Sequence, residues 1–556
     1  MEQVRLIVAL TLCVVVFIAW GHFFGPKPVD RVAEPQLEES LQQAGARPDQ
    51  TAPPSGLIPP PVMQAEQEQQ VVEDAPERII TVETPLFVAQ LSSRGATLVH
   101  LLLKEYRQTN AADSPPKELV DLPAFMGTLE TELADGSIPG LASAVFGAST
   151  AKDFILVNSA DANKTISFSW TSPYGVRVEK KFSFRPDAYV LDLEVTVHNG
   201  SGGPLSDRLG VSLVSQMEQV SRYGFEGPVA LLDNGLEEIK IGKVRKDGSL
   251  TKEGVIGFSG ITTRYFISAL IPETPQSASM RFTPREAGVI AATLIHPRMV
   301  LAPGQQQVFA HQAFFGPKSP QMLKQGGDLL PKALNFGWFD IIAKPCLLLM
   351  IWIHDSLIPN YGVAIILLTI MVKLLFWPLS NKSYRSMNQM KKLAPLMQEI
   401  REKHKADKRK MNEEVFALYR TYKVNPMSGC LPMLLQIPVF IALYKMLYGA
   451  IELRHAPFLL WINDLSAPDR LFTFLNIPFI EPPGLPVLTL IMGASMFLQQ
   501  KMAPPPADPM QAKMMMALPI VFTFIFIGFP SGLVLYWLVN NLLSMAQQYY
   551  IQKKAD

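Results

Sequence analysis

The sequence predicts a multi-pass α-helical membrane protein, with six transmembrane helices and a large all-β domain on one side of the bilayer. Three observations predict it. Six apolar runs, at 6–20, 361–379, 430–451, 485–502, 514–529 and 532–550, approach or reach the ~20 residues that a membrane helix needs. Between the first and second runs lies a long stretch of short β-forming segments separated by turn residues. The loops between the runs differ sharply in Lys and Arg content, which fixes their side of the membrane.

The totals agree. A chain of 556 residues exceeds one hydrophobic core. It is 48% hydrophobic with a mean hydropathy of +0.16, as expected of a part-soluble, part-membrane protein. The net charge of +1 implies no particular partner and gives no basis for sequence-specific nucleic-acid binding. The three cysteines, Cys13, Cys346 and Cys430, are too dispersed for a zinc site or a disulfide framework.

In chain order, 1–25 is read as an uncleaved transmembrane signal-anchor. Trp20, His22, Phe23 and Phe24 occupy the zone where a signal peptidase needs small residues. Segment 26–77 is rich in Pro, Gln, Glu and Ala. It cannot bury enough apolar surface to offset chain entropy, so it is read as a flexible linker. Region 78–330 alternates apolar and polar residues, clearly in VRVEKKFSF and LDLEVTV, with turns at HNGSGG, DNG and KDGS. It is read as one antiparallel β-sandwich domain with a helix or two. Segment 331–359 is apolar but broken by Asp340, Lys344, Pro345, His354 and Asp355. It reads as an amphipathic interfacial helix with Trp338 and Trp352 at headgroup level.

The membrane helices then follow at 360–380, 429–451, 484–502, 513–529 and 530–550. Region 381–428 carries twelve Lys and Arg residues against five Asp and Glu. Met387, Met390, Leu393, Met397 and Ile400 make one apolar stripe. Met411, Val415, Leu418, Tyr419 and Tyr422 make another, with HKADKRK as a polar turn between them, so the region reads as a basic helical hairpin. Loop 452–483 holds only two basic residues, Arg454 and Arg470. The basic hairpin is therefore placed in the cytoplasm, and loop 452–483 and the β domain outside. Both termini, the short loop 503–512 and the tail 551–556 fall on the cytoplasmic side. In a bacterium this means an inner-membrane protein with a periplasmic domain.

No HExxH, phosphate-binding Gly-rich loop or GxSxG is present, and the eight histidines are scattered. His100, His198, His296 and His311 lie in strand-like runs and read as ordinary sandwich residues. No enzymatic activity, cofactor or metal is expected. The residue that stands out is Lys373, the one charge in the 361–379 run, with Thr369 one turn before it. An intramembrane charge is costly and marks a functional site unless its stem reaches the interface. Two readings stay open from the local sequence: the lysine snorkels to the cytoplasmic side, or it faces a wet cavity. Thr369 and the polar residues Gln436, Ser495, Gln499, Asn540 and Asn541 in other runs favour the cavity, as do Pro432, Pro438, Pro519 and Pro530, which bend or end helices. A solute transporter would show internal repeats and paired intramembrane charges, and neither is found.

Four stretches resemble the YidC family of membrane protein insertases in its Gram-negative form. They are NPMSGCLPMLLQIPVFIALYKML from Asn425, RHAPFLLWINDLSAPD from Arg454, ADPMQAKMMMALP from Ala507 and FPSGLVLYWLVNN from Phe529. The resemblance implies a five-helix insertase core and a periplasmic β-supersandwich. The core encloses a hydrophilic groove, open to the cytoplasm and to lipid, with one positive residue. It implies a function in inserting, folding and assisting assembly of inner-membrane proteins, alone or with the Sec translocon. Lys373 matches the groove cation, where familiar members carry arginine. Thr369 matches a substrate contact, Gln436 a groove glutamine, and Tyr536-Trp537 a Tyr-Tyr pair on the last helix. The basic hairpin, here Met387, Lys391, Lys392, Met397, Arg401, Lys408, Arg409 and Lys410, matches a docking element. Implied partners are nascent integral membrane proteins, the Sec translocon with its accessory subunits, the lipid bilayer, and targeting factors or the ribosome.

Overall fold

The computed structural model describes residues 76–556 apart from 124, 160–162, 218–223, 406, 423–430, 479, 503–508 and 556. The anchor read at 1–25, nearly all of the linker read at 26–77 and most of the loop read at 503–512 lie outside the described residues. Residues Glu77–Gln219 and Phe225–Asp556 form one compact unit.

The β domain follows directly from its alternation. Strand Val176–Phe184 buries every second residue, and Val190–Asn199 does so along most of its length. Such strands leave one face for a core and one for water. They join a 13-stranded sheet whose centre runs through Leu250–Thr262, Phe266–Pro272, Gln306–Pro317 and Val190–Asn199. A second sheet of five strands runs Pro116–Asp121, Thr97–Arg107, Phe87–Ser92, Ile79–Glu83 and Phe154–Leu156. The pairings are antiparallel except that Ile79–Glu83 lies parallel to Phe154–Leu156. Phe87 and Phe184, both buried, meet between the sheets with ring centroids 6.4 Å apart. Lys180 is buried with them. Its ammonium donates to the carbonyls of Gly95 and Leu129, and burial lowers its pKa to about 7.

His296 and His311 are more than ordinary strand residues. Both are buried, with their Nε2 atoms 2.7 Å apart, so one ring donates to the other. Gln276 Nε2 lies 2.6 Å from His296 Nδ1. Desolvation lowers the pKa values from 6.5 to about 4 for His296 and about 3 for His311. The unfolded chain therefore takes up protons near pH 6.5, where the folded chain does not. Stability contributed by the neutral pair is full above pH 6.5 and falls as the pH drops toward 3. At pH 5 the expected loss is about 2 kcal/mol for each histidine. Melting of the purified chain at pH 7.5 and pH 5 checks this. His311→Phe, which removes one titrating ring, should remove about half of the difference.

Among the described residues, the α-helices longer than one turn are α1 (Ile241–Asp247), in the β domain, then α2 (Asp340–Ser356), α3 (Tyr361–Lys403), α4 (Lys408–Thr421), α5 (Leu431–Gly449), α6 (Val487–Met502), α7 (Pro509–Phe526) and α8 (Ser531–Ala555). Among the described residues, Gly337–Ser356 and Tyr361–Met390 are long and apolar enough to cross a membrane, and Lys513–Phe526 is a shorter apolar helix. Helix α2 is two-faced. Leu347, Met350 and Ile353 are buried, while Trp338 just before it is 98% exposed, and Ile341, Leu348 and Trp352 are exposed.

Helix α3 differs from its sequence reading. The sequence divides a membrane helix ending near 380 from a hairpin beginning at 381. The structure runs one helix of 43 residues through both, across Pro378 and Pro395. Asn360 caps its start, accepting from Val363 N, and donates to Phe458 O of the 452–483 loop. Gly362 lies so close to Phe458 that an added Cβ would clash with its ring. The helix ends at Lys403, and Asp407 caps α4 by accepting from the backbone N–H groups of Arg409 and Lys410.

The β domain is anchored to the helices. Arg264, in the turn after strand Leu250–Thr262, donates to the carbonyls of Tyr448 and Ser466 at 2.8 and 3.3 Å. Its guanidinium lies 3.8 Å from the Tyr448 ring centroid and 4.6 Å from that of Tyr265. Arg454 donates to the carbonyls of Arg107 and Gln108, and Asn110 to that of Asn463. Lys445, near the end of α5, donates to Phe336 O.

Candidate functional site

Lys373 lies about a third of the way along α3. It is 8% exposed, although its neighbours Leu374 and Leu375 are among the most exposed apolar side chains of the helix. The lysine therefore points into the helix assembly while the flanking leucines point out. Its ammonium donates to Ser544 Oγ of α8 at 2.7 Å. Ser544 Oγ donates in turn to Asn540 O at 2.6 Å, and the Tyr384 hydroxyl is hydrogen-bonded to Ser544. No carboxylate stands against Lys373 among the described residues. A buried cation held by a neutral hydroxyl keeps its charge available to an incoming anion. A lysine closed in an ion pair would not.

Around it the polar groups of α8 fall in two stripes. Asn540, Ser544 and Gln547 face α3 and α5. Gln436 Nε2 of α5 donates to Asn540 Oδ1 at 3.2 Å, and Gln547 Nε2 donates to Asn381 Oδ1 at 2.9 Å. Asn541, Gln548 and Gln552 face α6. Asn541 Nδ2 donates to Ser495 Oγ at 3.1 Å, and both glutamines donate to Met502 O. The spacing of three, four and seven residues puts each stripe on one helix face. Polar side chains of this kind join helices where no water competes for them.

The other residues singled out in the sequence are placed as follows. Thr369 is buried one turn from Lys373, and its hydroxyl donates to Ile365 O of its own helix. Tyr536 is buried, with its ring stacked on Phe440 at 6.4 Å. Trp537 belongs to an aromatic cluster with Phe440, Phe522 and Phe526, at centroid distances of 4.5, 6.2 and 5.0 Å. The α8 residue that touches Lys373 is Ser544, about two turns further along the helix than Tyr536. Sequence reasoning missed Ser544, although its place four residues after Asn540 was a usable signal.

In the basic hairpin, Met397 is buried and accepts from the Tyr419 hydroxyl at 3.1 Å, which joins the two arms. Lys392, Arg409 and Lys410 are exposed, and Arg401 is half-buried. Arg409 pairs with Glu413 one turn on. The side chains of Met387, Lys391 and Lys408 lie outside the described residues.

On the far side, the 452–483 loop closes over the helix ends. Asp464 accepts from His455 N, Ser466 N and Ser466 Oγ. Asp469 caps α6 through Leu488 N and Thr489 Oγ1. Glu452 lies buried there, and desolvation raises its pKa to about 7.

Comparison with known proteins adds three findings. Residues 79–349 match the family model "YidC periplasmic domain", and residues 352–556 match "60Kd inner membrane protein". Proteins named membrane protein insertase YidC from Syntrophus aciditrophicus and Pelobacter propionicus are each 40% identical to this chain, over 99% of both lengths. A solved structure, described as an active YidC insertase crystal structure with the first transmembrane domain resolved, is 20% identical. The match covers 85% of this chain and 95% of that one, with a TM-score of 0.36.

Proposed function

We propose, for a chain that belongs to the YidC family of membrane protein insertases, that Lys373 is the fixed cation of an insertion groove between α3, α5 and α8. The protein is a membrane protein insertase of the inner membrane with a periplasmic β-rich domain. The single observation that carries the groove reading is the buried Lys373 ammonium, tied to a serine and facing no carboxylate among the described residues.

The chemistry runs as follows. A polar, acidic tail entering from the cytoplasm loses part of its hydration on crossing the bilayer, a cost of several kcal/mol for an ion. The ammonium of Lys373 and the amides of Gln436 and Asn540 replace part of that hydration. The apolar segment behind the tail then partitions into lipid, at roughly 0.3–0.6 kcal/mol for each central Leu, Ile, Phe or Val. Exposed apolar side chains on α5 and α7, among them Ile437, Ile520 and Phe524, provide the surface along which it leaves. The membrane potential adds roughly 2.3 kcal/mol per exported negative charge per 100 mV. No nucleotide is needed.

In the same reading, six helices span the membrane, counting the anchor at 1–25, and both termini are cytoplasmic. The basic hairpin receives targeting factors or the ribosome. The β domain meets Sec components when insertion proceeds with the translocon. The inserting activity is tested by reconstituting the purified chain into proteoliposomes and scoring protease protection of a small acidic-tailed membrane protein. Failure to protect it above empty liposomes would overturn the reading.

Ser544 gives a finer test. If it positions the ammonium, Ser544→Ala leaves the lysine with a lost hydrogen bond worth about 1–3 kcal/mol when buried. Insertion should slow severalfold, and Ser544→Thr should restore it. A substrate with a neutral tail should be affected less than one with an acidic tail. Equal loss for both tails would mean that Ser544 matters only for packing.

A further inference from the structure

The outer face of the five-stranded sheet carries a side-chain cluster apart from the residues around Lys373. His100 lies on strand Thr97–Arg107, and Glu118 and Asp121 lie on the edge strand Pro116–Asp121. In the antiparallel register, His100 is directly opposite Asp121. Residues three apart on one strand normally point to opposite faces. Here the pairing slips between Leu101 and Leu102, which face Val120 and Glu118, so Leu119 is an extra residue in the edge strand. That β-bulge turns Glu118 to the same face as Asp121. Burial follows the same division: Leu101, Leu103 and Val120 are in the core, and His100, Glu118 and Asp121 are on the outside. Bulges commonly re-aim side chains at functional positions.

The result is one imidazole nitrogen and two carboxylates whose ligand atoms all lie within 4.8 Å of one another. His100 Nδ1 and Glu118 Oε1 are 2.8 Å apart. A histidine–glutamate ion pair would need only one carboxylate. The second, Asp121, adds like-charge repulsion on the same sheet face, which a bound cation removes. Lys117 feels both carboxylates but lies opposite Leu103, on the other face of the strand, and forms no ion pair with either among the described residues.

We propose that His100, Glu118 and Asp121 bind a divalent first-row transition-metal ion, with zinc as the best fit, on the periplasmic β domain. One nitrogen and two oxygens suit zinc at about 2.0–2.2 Å from each, with water completing the shell. Small side-chain adjustments bring the three donors to such spacings, and the exposed Asp121 on the edge strand leaves an open path for the ion. The bound ion clips the edge strand to its neighbour.

The test uses the full chain, untagged and stripped with a chelator, in detergent. Titration with Co²⁺ should give a visible absorption band that saturates at one equivalent, and Zn²⁺ should displace it. Zn²⁺ should also raise the melting temperature of the chain. His100→Ala and Asp121→Asn should each weaken binding about tenfold or more and abolish the melting shift. Asp121→Asn is nearly isosteric at an exposed position, so it separates lost binding from lost folding. Absence of saturable binding in the unaltered chain, or equal binding in both variants, overturns the proposal.

Discussion

Lys373→Glu should reduce insertion of an acidic-tailed membrane protein to background in cells depleted of their own insertase and complemented with the variant. The substitution replaces the buried ammonium beside Ser544 with a carboxylate, so an entering acidic tail meets repulsion where it met attraction. Lys373→Ala removes the attraction alone. A hydrogen bond to a charged group contributes about 1.5–3 kcal/mol, which corresponds to roughly ten- to hundredfold slower insertion. Lys373→Arg keeps the charge and adds a forked donor, and should insert at near-parental rate. The order expected is therefore Lys and Arg first, Ala next and Glu last. Full insertion by Lys373→Glu would remove the electrostatic step from the mechanism.

Arg264→Ala should uncouple the β domain from the helices. The side chain supplies two hydrogen bonds to backbone carbonyls across the domain boundary and lies against two tyrosine rings, one on each side of it. The stacking alone is worth about 0.5–2 kcal/mol. Leaving the Tyr448 and Ser466 carbonyls without their charged donor adds about 1–3 kcal/mol. Calorimetry of the solubilised chain should split one transition into two, with the β domain melting separately. Amide exchange should rise around residues 448–466. Arg264→Lys keeps charge without the fork and should fall between. An unchanged single transition would mean that Arg454, Asn110 and Lys445 suffice for docking.

The strands of the β domain were legible because burial on one face imposes a period of two, and Val176–Phe184 obeys it. The awkward lysine was legible because charge inside an apolar run is rare. Its partner was not. Ser544 is 171 residues away in the chain, and a serine on a polar-dotted helix carries no mark of what it faces. The order of thirteen strands in one sheet was equally hidden, since a strand's pattern says which face it buries and nothing about its neighbour. The absence of a helix end near 380 was hidden for a different reason. Apolar content drops there and Pro378 intervenes, so local composition signals an end. The helix continues because tertiary packing holds the part beyond the proline: Gln547 of α8 donates to Asn381 Oδ1 and Tyr419 of α4 to Met397 Sδ. The histidine pair was underestimated because residues 15 apart look unrelated until two strands bring them within 2.7 Å.

The unbroken run from Tyr361 to Lys403 has a mechanical consequence. At 1.5 Å per residue it is a rod of about 65 Å, and each residue advances the helical phase by about 100°. Asn360 and Phe458 clamp one end, Lys373 sits a third of the way along, and the basic hairpin is the free end. No break in the helix separates them, but Pro378 and Pro395 lie between the lysine and the hairpin turn. A rotation imposed at the hairpin therefore also turns Lys373, while the two prolines set how much of a bend is passed on.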